Sequence, residues 1–308
     1  MAEEEKTIYD LIIVGAGPAG LGASIYSSRY KLNHLVIGED IGGQVVEASE
    51  IENWAGEKSI SGKDLMTKFV DQTEGLGATI IKEDVRQIEK KENIFEVVSD
   101  GGKTYFAKTI ILALGMKPRK MNVKGEKDFV GKGVSYCATC DAMFFRDKNV
   151  VVIGGGDAAA MAAQHLTEFA KKVYVLHRCE VAWEPSRGEA MKNSDKIEMI
   201  CSENITEIKG DNKVTSVAYE QDGSTKEVEV EGVFIEVGTV PGVVIAKNLG
   251  VALDDKEYII VDQTQATNVE GVWAAGDVTT GSNKFRQIIT AVAEGAVASG
   301  SIYRKLRL

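Results

Sequence analysis

Tyr9-Asp-Leu-Ile-Ile-Val14-Gly15-Ala-Gly17-Pro-Ala-Gly20 decides how this 308-residue chain folds. The short apolar run is of the kind a buried parallel strand shows. A helical stretch over residues 21–30 follows the glycines. In such a strand–turn–helix, Gly15 permits the tight turn, Gly17 lets backbone approach a pyrophosphate, and Gly20 lets helix close on strand. The phosphates would lie at the helix start, beside Pro18 and Ala19, where free N–H groups and the helix dipole favour anions. Glycines and a proline interrupt the run, so it does not read as a membrane span.

The pattern recurs. Asn149-Val-Val-Val-Ile153 leads into Gly154-Gly-Gly156-Asp157-Ala-Ala159, with a helical stretch over 160–170. One G-x-G-x-x-G is a weak signal, but two, each between a strand and a helix, are strong. Thr109-Ile-Ile-Leu-Ala-Leu-Gly115 and Gly232-Val-Phe-Ile-Glu-Val-Gly238 echo each other too, and a proline follows each, Pro118 and Pro241. These read as paired connections between domains. The expected fold class is α/β, with two Rossmann-like nucleotide-binding domains, the second inserted into the first. The expected domains are 1–117 with 247–308, and 118–246.

A doubly wound nucleotide site places a ribose-reading residue at the end of its second strand. At equal distances beyond the first glycine of each loop stand Glu39 and Arg178, the latter preceded by His177. Glu39 suits an unphosphorylated ribose diol, as in FAD or NAD. Arg178 suits a 2′-phosphate, as in NADPH.

Between the two loops lies Cys137-Ala-Thr-Cys140-Asp141. A C-x-x-C is half of a zinc site or a redox pair, and zinc wants a second pair of ligands. Cys179 and Cys201 are spaced wrongly for that, and His34, His165 and His177 are scattered. A redox pair is favoured and no metal is expected; Cys179 and Cys201 read as bystander thiols. If the pair opens a helix, the dipole favours its thiolates, and Asp141 stands where a carboxyl group could move a proton.

Composition sets the outer bounds: 44% hydrophobic and 27% charged residues are normal for a soluble globular protein. A net charge of −10 argues against nucleic acid as partner. The start Met1-Ala-Glu-Glu-Glu-Lys6 is acidic and does not read as a secretory signal; Glu3–Glu5 read as a solvated tail. Four cysteines, two in one motif, fit a reducing cytoplasm.

Over nearly its whole length the chain resembles the low-molecular-weight thioredoxin reductase family of FAD flavoproteins. Gly15-x-Gly17-Pro18-Ala19-Gly20 is similar to the family's FAD pyrophosphate loop. Gly42-Gly43-Gln44 and the segment around Asn53 resemble stretches lining its flavin, and Gly115 at a strand end joins them. Tyr136-Cys137-Ala-Thr-Cys140-Asp141 resembles its active-site signature. Ala274-Ala-Gly276-Asp277-Val278 resembles its second FAD motif, and Arg286-Gln287-Ile288 a stretch near the isoalloxazine end. The resemblance implies FAD on the first domain and NADPH on the second, at Gly154, Gly156, Asp157, His177 and Arg178. It implies Cys140 facing the flavin, Cys137 attacking the disulfide of a thioredoxin-like protein, and Asp141 as acid/base. It also implies a homodimer and a rotating second domain, with the glycine–proline connections as hinges.

The second nucleotide site departs from that pattern. The family's run is His-Arg-Arg with a further arginine; here it is His177-Arg178-Cys179-Glu180-Val181-Ala182-Trp183. Ala158, Met161 and Ala162 stand where the family has polar side chains. Arg187 is a candidate replacement for a missing arginine. NADPH remains the expected donor; NADH, reduced ferredoxin or a deazaflavin are alternatives, as is an oxygen-using dithiol oxidase. A flavin-bound redox sensor without turnover is disfavoured by the intact cysteine pair and Asp141.

Overall fold

The computed structural model describes residues 7–48 and 51–307. The acidic tail Glu3–Glu5 lies outside them. Two compact units emerge, Met1–Lys117 with Pro241–Leu308, and Pro118–Val240.

In the first unit, β1 (Ile8–Val14) enters α1 (Pro18–Arg29), and β2 (His34–Ile37) follows. Next come α2 (Gly62–Gly75), β3 (Thr79–Ile81), β4 (Val85–Lys91), β5 (Ile94–Ser99) and β6 (Thr104–Leu112). The sheet order is β3-β2-β1-β6-β5-β4. The β3-β2-β1-β6 half is parallel, and β4-β5-β6 is antiparallel. Leu11–Val14 and Leu35–Ile37 are buried throughout, as expected for parallel strands covered on both faces. The helix begins at Pro18, earlier than residue 21, because Gly17 is its N-cap and proline at the first helical position gives up no needed N–H.

Between the units, β7 (Met116–Pro118) leads out and β16 (Thr239–Pro241) leads back, and these two short strands pair with each other. In the second unit, β8 (Val134–Ser135) precedes α3 (Ala138–Asp141). Then follow β9 (Asn149–Ile153), α4 (Asp157–Leu166), β10 (Lys172–His177), α5 (Pro185–Lys192) and β11 (Ile197–Cys201). An antiparallel meander β12 (Asn204–Gly210), β13 (Val214–Gln221) and β14 (Ser224–Glu229) comes next, then β15 (Gly232–Ile235). The parallel sheet runs β11-β10-β9-β15-β8. Its β11-β10-β9-β15 core repeats β3-β2-β1-β6 of the first unit, each with a glycine loop after the central strand. The helix after the second loop also starts early, at Asp157 with Gly156 as N-cap.

Back in the first unit, α6 (Val244–Asn248) precedes β17 (Val272–Ala274) and α7 (Ile288–Arg307). The return falls at Pro241 and not at Lys247, because Val243 and Ala246 are buried with Val85 and Ile88 in the first unit's core. β6 serves two neighbours on one edge: Thr104–Ala107 pair with β5, and Ile110–Leu112 pair with β17. That brings Gly276-Asp277, just past β17, to the carboxyl end of the parallel strands, where such sheets bind ligands.

Candidate active site

In the first unit the glycine loop is held by its own backbone. Gly15 has φ +113°, and its N–H donates to the Ile37 carbonyl at 2.8 Å. A Cβ there would lie 2.1 Å from the Ala113 carbonyl oxygen, so the turn tolerates only glycine. Gly42 donates to the Ala16 carbonyl at 2.8 Å, which lays Gly43 over Gly17.

Gly17 is different. Its backbone is extended (φ −82°), and a Cβ would meet nothing nearer than Gly43 Cα at 3.8 Å. Gly156 of the second loop is alike, with φ −110° and nothing within 4 Å. The chain's own packing does not require glycine at either place. Close backbone approach by a ligand would, and neither helix start has a side-chain cap on its free N–H groups. Both loops therefore fit a dinucleotide pyrophosphate.

Around the first loop the chain gathers distant segments. Glu39 is exposed just beyond β2, and Gln44 is exposed beside Gly43. Asn53 Nδ2 donates to Gln287 Oε1 at 3.0 Å, joining two segments singled out separately in the sequence. Arg286 lies over the Tyr258 ring at 4.4 Å, and Ile288 opens α7 against a cluster containing Leu21 and Trp54. Gly115 (φ +57°) accepts the Gly242 N–H at 3.2 Å.

Sequence reasoning missed Glu294 on α7. It is only 5% exposed and accepts the Gly276 N–H at 2.8 Å and the Thr279 hydroxyl at 3.0 Å, so it holds the turn that presents Asp277. A lone carboxylate among the alanines of α7 is the signal that could have found it. Burial pushes the Asp277 carboxyl up, Arg286 opposes this, and Glu294 adds to it.

A raised carboxyl pKa favours folding below the unfolded-state value, and that advantage is lost as pH rises through the folded-state value. Ionised Asp277 thus weighs against the cofactor-free fold near neutrality. Asp277→Asn is expected to raise the melting temperature of cofactor-free protein at about pH 7, with the gap closing near pH 4. Circular dichroism melts at both pH values test it; no gain at the higher pH would show that the charge is not a burden.

In the second unit the cysteine pair opens a one-turn helix. Cys137 is the N-cap of α3, and its Sγ accepts the Cys140 N–H at 3.1 Å. The two are joined as a disulfide with Cα atoms 5.3 Å apart. Ser135 fixes the approach: its Oγ accepts from Cys137 N at 3.0 Å and donates to Cys137 O at 3.2 Å. Cys140 is exposed, Cys137 half-buried, and Asp141 ends the turn, its N–H on the Cys137 carbonyl. Behind them Tyr136 donates its hydroxyl to Glu126 Oε1 at 2.7 Å. Glu126, fully buried, also accepts the Met121 and Val123 N–H groups. Burial and this carboxylate push the Tyr136 phenol up, so the hydroxyl stays a donor. Just past the pair, Met143 and Phe144 are 63% and 67% exposed. The sequence reading passed over both, although two large apolar side chains next to a redox pair are a partner-docking signal.

The second glycine loop is covered by the segment 178–184. Ala182 N–H donates to the Gly155 carbonyl at 2.7 Å, and Glu184 N–H to Asp157 Oδ1 at 2.7 Å. Trp183 meets the His177 ring edge-on at 5.2 Å, and His177 Nδ1 donates to the Arg178 carbonyl. Arg178 is exposed. Arg187 sits between carboxylates, Nε 3.7 Å from Asp157 and 3.6 Å from Glu184, so it is committed beside the helix start. One expectation is corrected: Cys179 and Cys201 are not bystander thiols but a second disulfide. His177 stands opposite Cys201 in the β10–β11 register, so the chain leaving β10 passes over the end of β11.

The profile of the Pyridine nucleotide-disulphide oxidoreductase family matches residues 9–295. The thioredoxin reductase of Listeria monocytogenes is 42% identical over 305 residues, 97% of this chain and 93% of that protein. The crystal structure of Lactococcus lactis thioredoxin reductase superposes with a TM-score of 0.89 at 36% identity, covering 97% of this chain and 100% of that one. That of T. acidophilum thioredoxin reductase gives 0.87 at 39% identity, covering 97% and 99%. Two glycine loops on repeated parallel sheets, a disulfide opening a helix, and these likenesses converge: the chain belongs to the pyridine nucleotide-disulphide oxidoreductases and, within them, to the low-molecular-weight thioredoxin reductases.

Proposed function

We propose that this thioredoxin-disulfide reductase draws electrons from NADPH at the second unit and holds FAD on the first, working as a cytoplasmic homodimer. The observation that carries the reading is the pair of glycines, Gly17 and Gly156, that the chain's own packing does not require. Gly15, Gly17, Gly20, Glu39, Asn53, Gly276 and Asp277 would hold FAD; Gly154, Gly156, Asp157, His177 and Arg178 would hold the nicotinamide dinucleotide. FAD held by these residues would supply the two-electron chemistry for opening the Cys137–Cys140 disulfide.

The opened pair then acts by exchange. The Cys137 thiolate attacks one sulfur of the partner's disulfide; a mixed disulfide forms and a partner thiolate leaves. Asp141 delivers the proton that this thiolate takes up. Cys140 gives its proton to Asp141 and attacks Cys137 Sγ, which restores the Cys137–Cys140 bond; the second partner thiolate leaves, takes that proton from Asp141, and the partner departs as a dithiol. In the closed pair Cys140 N–H donates to Cys137 Sγ, so a hydrogen-bond donor already stands at the sulfur that attacks the partner. Met143 and Phe144 would be covered by the partner. Replacing both with serine is expected to raise KM for thioredoxin about tenfold with little change toward a small aromatic disulfide. Equal loss on both substrates would remove them from docking.

The donor is tested by anaerobic stopped-flow mixing of FAD-loaded protein with NADPH and with NADH, followed at the flavin absorbance. Reduction at micromolar NADPH supports the reading, and the same preparation should sediment as a dimer. Arg178→Gln is expected to weaken NADPH about tenfold or more, the worth of one charge-assisted phosphate contact, and to leave NADH unchanged. Failure with both nucleotides, while dithionite still reduces the protein, would move the donor to reduced ferredoxin or a deazaflavin.

A further inference from the structure

The Cys179–Cys201 disulfide has no part in the exchange at Cys137, yet it lies at the carboxyl ends of two adjacent parallel strands. Cys201 closes β11, and Cys179 follows His177 by two residues. Their Cα atoms are 5.0 Å apart, within the usual range for a bridged pair. Cys179 is exposed and Cys201 half-buried, so a thiolate can reach the bond from solvent. Exposed disulfides are the labile ones, and within a cell they are commonly transient.

The position matters because of the neighbours. Arg178 immediately precedes Cys179, and the rest of the loop is tied to the glycine turn through Ala182 and Glu184. Bonded, Cys179 anchors the front of this loop to β11 while Ala182 anchors its back to Gly155. Opened, His177 still accepts the Ser202 N–H just past β11 at 2.8 Å and keeps its bond to the Arg178 carbonyl, but Cys179 and the residues after it lose their covalent link to β11. A loop ordered beforehand binds more tightly, since its ordering cost is not charged to the ligand.

We propose that Cys179 and Cys201 are a second redox-active pair, which sets the affinity of the second unit for a 2′-phosphorylated dinucleotide through the loop carrying Arg178. The proposal rests on the reading of the second glycine loop as the nicotinamide site. The reductant is a thioredoxin-type dithiol, the enzyme's own product. Its thiolate attacks Cys179 Sγ, breaking the Cys179–Cys201 bond; a mixed disulfide forms, and Cys201 leaves as a thiolate and takes a proton. The partner's second thiol attacks the mixed disulfide, releasing Cys179 as a thiol and the partner as a disulfide. Two electrons have passed, and the reverse sequence closes the pair at the expense of oxidised partner. Accumulating product thus loosens donor binding.

The test uses FAD-loaded protein carrying Cys137→Ser and Cys140→Ser, in which Cys179 and Cys201 are the remaining cysteines. It is poised in mixtures of reduced and oxidised thioredoxin, free thiols are counted by mass spectrometry after alkylation, and NADP+ is titrated calorimetrically. The expected result is that both thiols disappear together on oxidation and NADP+ binds about tenfold more tightly to the closed form. Adding Cys179→Ser and Cys201→Ser should hold the open-form affinity in every mixture. Measurable but equal affinity in both forms, or thiols that do not interconvert, overturns the switch alone. No NADP+ binding in any form overturns the nicotinamide-site reading along with it.

Discussion

Cys140→Ser is expected to abolish thioredoxin reduction, with turnover falling roughly 10³-fold or more, because serine cannot take part in a disulfide exchange. The fold should be indifferent. Cys140 is exposed on a one-turn helix, and its backbone N–H still has Cys137 Sγ to donate to. The informative result is the fate of the partner. With Cys140 replaced, Cys137 can attack but nothing resolves the mixed disulfide, so a covalent adduct with thioredoxin should accumulate. With Cys137→Ser, activity should be lost without an adduct. Intact-mass measurement under non-reducing conditions distinguishes these. An adduct from Cys137→Ser and none from Cys140→Ser would reverse the assigned roles, and turnover within tenfold of the parent would remove the pair from the reaction.

Gly15→Ala is expected to have the largest effect on stability. Its φ of +113° is strained for any L side chain, and the new Cβ would sit 2.1 Å from a backbone oxygen of β6's continuation at Ala113. Neither β1 nor β6 can yield, since their ladder is buried on both sides. The combined cost is about 3 kcal/mol or more, read as a drop in the chemical-denaturation midpoint of the cofactor-free protein. Gly17→Ala is the control: with an ordinary φ and no clash it should cost the cofactor-free fold about 1 kcal/mol or less. It should still weaken FAD retention, measured by flavin release on dilution. If both variants destabilised the cofactor-free protein equally, the division between a turn glycine and a ligand glycine would fail.

What was legible and what was not follow from the range of the interactions. The two loops could be read because strand, tight turn and helix start are contiguous, and a positive φ or an N-cap is a demand met within a few residues. The cysteine pair opening α3 was legible for the same reason. The point of return to the first unit is not legible, because nothing between Pro241 and Lys247 announces that Val243 and Ala246 will be buried against β4. Arg187, a candidate to meet a phosphate, instead stands between Asp157 and Glu184, an arrangement made by the packing of α5 on α4.

By itself the sequence determined the class of this protein: two dinucleotide-binding α/β units, one within the other, and a redox dithiol. Each of these is written in local spacing, where covalent geometry and backbone sterics leave few choices. Tertiary structure alone decided that Glu294 holds the Gly276 turn, that Asn53 meets Gln287, and that Cys179 is joined to Cys201. Those pairings depend on strand register and on helices packed across long stretches of sequence, and a one-residue slip of β11 against β10 would have left Cys201 opposite a different residue.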